Sequence, residues 1–146
     1  MRHAALVATI LLGAGCGFLP SVPPDWVTNR LPLDSCGEEV LGQGAAGDVD
    51  VRMCLLEAYE DGRPAEMIST QPTIEGDPIT RYIRVHENGV VEIFVDATRD
   101  QFGSGEWERL QCEEIVSVDE ANDPPNLVFP ADMVFVEDQC RPQPVP

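Results

Sequence analysis

Four cysteines, Cys36, Cys54, Cys112 and Cys140, constrain this chain more tightly than any other feature. A fifth, Cys16, closes a leader of its own kind. An even set of cysteines in an exported chain of this size reads as two disulfides. Three connectivities are open. The pairing Cys36 with Cys54 and Cys112 with Cys140 is preferred because each then closes a short loop. Each bridge stabilises by about 2–4 kcal/mol. Zinc is the competing use of four thiols, but no C-x-x-C spacing occurs and His86 is the sole histidine beyond the leader. No metal centre is expected there.

Export itself is read from the N-terminus. Met1, Arg2 and His3 make a short positive start, and Ala4 to Leu12 is apolar apart from Thr9. Such a run is too short to span a bilayer, which takes roughly 20 apolar residues, so it reads as a removable signal over residues 1–15. Gly13, Ala14 and Gly15 then lead into Cys16. The pattern resembles the bacterial lipobox, in which the cysteine is diacylated and becomes the new N-terminus. It departs from that pattern at Gly13, where an aliphatic residue is usual. An ordinary secretory signal cleaved between Gly15 and Gly17 is the alternative. The expected setting is extracytoplasmic, with the chain tied by Cys16 to the outer face of the cell membrane or to the outer membrane.

The remainder is one domain's worth of chain. The full chain carries 26 Asp and Glu against 9 basic residues, for a net charge of −17, and every basic residue is Arg. This balance argues against nucleic acid or anionic lipid headgroups as ligands. At 43% hydrophobic content the chain is not a disordered acidic tail. Residues 16–32 hold four prolines (Pro20, Pro23, Pro24 and Pro32) and read as an extended tether, with the folded domain over 33–146.

Within that domain Gly37 to Gly47 reads as a loop. Val51, Cys54, Leu55, Ala58 and Tyr59 then follow the i, i+3, i+4, i+7, i+8 spacing of an amphipathic helix. Asp48 is its expected N-cap, and Gly62 and Pro64 its stop. Beyond Pro64 the period becomes 2. Strands are expected over 65–73, 79–85, 90–96, 106–118 (broken near Cys112) and 127–136. Asn88-Gly89 marks a hairpin whose two central residues take positive φ. Pro130 places the last strand at an edge or in two pieces. The expected class is α+β: one N-terminal amphipathic helix packed on a curled antiparallel sheet of four or five strands, with two disulfides.

Two separated segments stand out. Residues 73–79 read Thr-Ile-Glu-Gly-Asp-Pro-Ile, and residues 96–103, after the hairpin, read Asp-Ala-Thr-Arg-Asp-Gln-Phe-Gly. This pair resembles a bacterial family of exported or lipid-anchored domains of unknown function, with T-x-E-G-D-P-I and D-x-T-x-D-x-F-G motifs. The likeness covers residues 64–112, implies a shared domain and an extracytoplasmic setting, and carries no activity or catalytic residue with it.

Adjacent antiparallel strands bring Glu75 and Asp77 near Asp96 and Asp100, with Arg81 and Arg99 as counter-charges. Such a cluster suits a small ligand or a cation such as Ca²⁺, although the segment from Asp96 fails the EF-hand pattern. The simpler reading is that these acids cap tight turns. Enzyme readings find little support. His86 sits beside a turn with no serine partner, Gly103-Ser104-Gly105 is not a nucleophile elbow, and oxidised cysteines are not nucleophiles. A carboxylate-dependent hydrolase of envelope polymer is the residual enzymatic alternative, but 26 acidic residues make close pairs unspecific. The expected function is therefore non-enzymatic: a domain needing no cofactor that binds an extracytoplasmic protein or envelope component.

Overall fold

The computed structural model describes residues 22–118 and 133–146. The signal, Cys16, the start of the expected tether and the loop at 119–126 with Pro130 lie outside the described residues. Along the chain the elements are α1 (Asp25–Thr28), β1 (Asp34–Val40), α2 (Val49–Glu60), β2 (Ala65–Pro72), β3 (Pro78–Val85), β4 (Val91–Asp96), β5 (Trp107–Cys112), β6 (Glu114–Ser117), β7 (Phe135–Asp138) and β8 (Arg141–Pro142). An open six-stranded sheet runs in the order β1-β2-β3-β4-β5-β8, and β6 and β7 form a separate pair. The α+β class and both disulfides, Cys36–Cys54 and Cys112–Cys140, agree with the sequence reading.

Helix α2 forms where its apolar stripe falls. Asp48 caps it, accepting from the backbone N–H of Asp50 at 3.2 Å and of Val51 at 3.3 Å. Leu55, Leu56 and Ala58 are buried against the sheet. On the facing side of the sheet, alternation places Ala65 and Met67 of β2, Ile83 and Val85 of β3, and Val91 and Ile93 of β4 in the same core. Ile115 of β6 and Phe135 of β7 complete it.

Several expectations are corrected. There are two described helices, not one, and the amphipathic helix comes second. The short α1 lies in the segment expected to be an extended tether, because Val27 is buried and Trp26 docks edge-on against Phe94 at 5.1 Å between ring centroids. The folded body thus begins before residue 33. Gly37 to Val40, the start of the segment expected to be a loop, belongs to β1, which pairs with β2 in parallel, and residues 41–48 form the loop. A wholly antiparallel sheet is therefore not found: α2 is the crossover between two parallel strands, and the meander starts at β2. The sheet has six strands rather than four or five because β1 and the two-residue β8 extend it at opposite edges. In the hairpin after β3 only Gly89 takes positive φ, at 75°. The N–H of His86 bonds the carbonyl of Val90, and that of Gly89 bonds the carbonyl of His86. This is the longer turn with a left-handed glycine rather than the two-residue form expected.

Candidate functional site

The pairing register carries the two sequence motifs to one end of the sheet. Thr80 of β3 sits opposite Asp96 of β4, so the turn before β3 and the loop after β4 are neighbours. Asp77 joins them: its carboxylate accepts from the backbone N–H of Gln101 at 3.1 Å and from the Gln101 side-chain amide at 3.4 Å. The Asp77 backbone N–H in turn donates to Thr73 Oγ1 at 3.1 Å. Asp96 Oδ1 accepts from the backbone N–H of Thr98 at 3.0 Å. Asp100 Oδ1 takes the N–H groups of Phe102 and Gly103, each at 3.0 Å. Glu75 is exposed at the tip.

Of the expected cluster, Asp77 and the loop around Asp100 are thus brought together, and Asp77, Asp96 and Asp100 each organise a turn. Among the described residues no group of three or more His, Cys, Asp or Glu side chains is placed to hold a metal ion. Arg81 points elsewhere, toward Glu137 of β7 at 3.3 Å. Arg99 is exposed within the loop.

The loops are rigidly built, and they hold apolar side chains outward. Gln43 braces the first, its side-chain amide donating to the carbonyls of Thr73 at 3.2 Å and Ile74 at 2.8 Å. The Thr73 N–H bonds the Asp77 carbonyl at 2.8 Å. In the second, Gly103 lies so close to Asp100 that a Cβ there would run into the carboxylate. Ile74 is 93% exposed and Phe102 is 77% exposed.

A second charged assembly covers the sheet face opposite α2, and sequence reasoning missed it. Glu66 of β2, Arg84 of β3, Glu92 of β4 and Arg109 of β5 alternate across neighbouring strands, with Arg30 arriving from the segment after α1. Arg30 clasps Glu66 through two hydrogen bonds at 2.8 and 2.7 Å. Arg84 lies 2.8 Å from Glu66, donates to Glu92 at 3.0 Å, and also donates to the carbonyl of Leu31. Arg109 reaches Glu92 at 2.7 Å, and His86 Nε2 lies 3.3 Å from the same carboxylate. Arg84 is buried and stacks on Phe94, 5.3 Å from the ring centroid.

Burial pushes the Glu66 carboxyl up, but the Arg30 hydrogen bonds and the Arg30 and Arg84 charges outweigh it and leave its pKa below the usual carboxylate range. The same hydrogen bonding raises Arg30. Burial raises the Tyr82 phenol beside them. At one side of this ladder an open groove of about 620 Å³ is lined by Leu31, Leu33, Pro64, His86, Glu92 and Arg109, among others.

Comparison with family models, with curated proteins and with solved structures returned no match. The chain is a disulfide-bonded α+β domain with a charged ladder on the sheet face opposite α2, partly covered by α1, and exposed Ile74 and Phe102 on loops at one end.

Proposed function

We propose that this chain is a lipid-anchored extracytoplasmic domain that acts by binding and not by catalysis. The pair of disulfides carries the reading, since such bonds persist in oxidising compartments outside the cytoplasm. The leader supports the anchor: a charged start, a short apolar run and small residues precede Cys16. No described helix is long and apolar enough to cross a membrane, and a diacyl group on Cys16 is the attachment we assign.

Binding is favoured over chemistry by what the polar groups already do. Glu92 is held by Arg84, Arg109 and His86, and the loop acids cap backbone N–H groups. Groups tied down in this way shape and stiffen a surface, which is what a binding domain asks of them. The braced loop end is the surface we assign to an extracytoplasmic partner. Membrane fractionation of cells expressing the wild type and Cys16→Ala tests the anchor. The wild type should sediment with membranes and the variant should appear in the soluble exported fraction; equal sedimentation of both would overturn it.

A further inference from the structure

Scattered exposed apolar residues are normal on any protein and call for no explanation. Ile74 and Phe102 are set apart by their place, on two neighbouring loops that the Asp77–Gln101 hydrogen bonds join to each other. Each sits on a loop whose backbone is tied down by Gln43, Asp77 or Asp100, and Asp77 ties the two loops to each other. Preorganised apolar and aromatic anchors of this kind are the usual centre of a protein–protein contact, since little conformational entropy is lost when they dock.

The surroundings say what the partner is like. Glu75, Asp77, Asp96, Asp100 and Glu106 lie in or beside the two loops, against the single basic residue Arg99. A rim this negative favours a positively charged surface and slows approach to an anionic one. The rival occupant is a bilayer, because Trp26 packs 6.2 Å from Trp107 and so brings the N-terminal segment to the domain near this same end. Acidic loops disfavour that rival, as anionic lipid headgroups repel them.

We infer that the Ile74 and Phe102 tips are a docking site for a protein segment that presents apolar residues flanked by Lys or Arg. This deepens the binding function proposed above, while its test is independent of the lipid anchor. The probe is a random twelve-residue peptide library displayed on phage and panned on the immobilised, exported, disulfide-bonded chain. The variant Ile74→Ser/Phe102→Ser is panned in parallel; both positions are exposed, and circular dichroism checks its fold. Selected peptides should combine apolar residues with Lys or Arg, bind the wild type at least about tenfold more tightly than the variant, and weaken on going from 0.1 to 0.5 M salt. Three results would overturn the inference: no enriched peptide, peptides lacking basic residues, or equal binding to the variant. A fourth is co-sedimentation with phosphatidylcholine or phosphatidylglycerol vesicles that the variant loses, which would assign the tips to a membrane.

Discussion

Glu39 shows how much one residue carries in this fold. It is buried beneath α2, where its carboxylate takes Arg52 at 2.6 Å, the Ser69 hydroxyl at 2.6 Å and the backbone N–H of Asp48 at 2.9 Å. Burial alone would raise its pKa, but these donors together hold it below the usual range. Glu39→Leu leaves the Arg52 guanidinium largely buried without its counter-charge, and breaking such a pair costs about 3–5 kcal/mol. Urea unfolding should show that loss, and Glu39→Leu/Arg52→Met should recover most of it. Glu66 supplies a pH test. Its folded pKa is lowered, so the stability it adds is complete above the unfolded value of about 4.3 and disappears as pH falls through the folded one. The stability gap between wild type and Glu66→Gln should be open at pH 7 and narrow as pH falls below the unfolded value. A gap that persists in acid would contradict the assignment.

At the scale of elements, α2 is fastened twice to β1, by the Glu39–Arg52 pair and by the Cys36–Cys54 disulfide. Replacing both cysteines by alanine should cost about 2–4 kcal/mol, read as a lower urea midpoint against the oxidised wild type. Helix α2 was legible because its stripe and cap are local signals. The meander was equally so, since β2, β3 and β4 alternate and the Asn-Gly turn joins two of them. Strand β1 was hidden for a physical reason. Gly37 (φ 114°) sits at a break in its register, and Glu38 and Glu39 look like surface, yet Glu39 is buried by a partner thirteen positions along the chain. Helix α1 was hidden by the prolines around it, which suit a first helical turn as well as an extended chain. Turn chemistry was half legible: glycine at 89 is required, whereas Asn88 needs no positive φ in the longer loop.

The whole molecule keeps its two polar assemblies apart. The ladder draws on residues from five segments, so no stretch of sequence announces it; Arg30 reads alone as part of a tether, and the others as exposed charges on alternating strands. The acidic turn residues did announce themselves, and the structure gives them the structural work of bracing loops. Calcium at millimolar concentration should accordingly leave the melting temperature unchanged, whereas a site filled to 100 times its Kd would add about 2.7 kcal/mol. Everything proposed for this chain depends on its having left the cytoplasm, been oxidised and been acylated. Intact mass of the membrane-extracted protein, before and after reduction, reads all of these together. The predicted result is a chain beginning at Cys16, heavier by a diacylglyceryl group, that gains about 4 Da on reduction as two bridges open. A chain retaining Met1, without lipid and with no mass change on reduction, would contradict it.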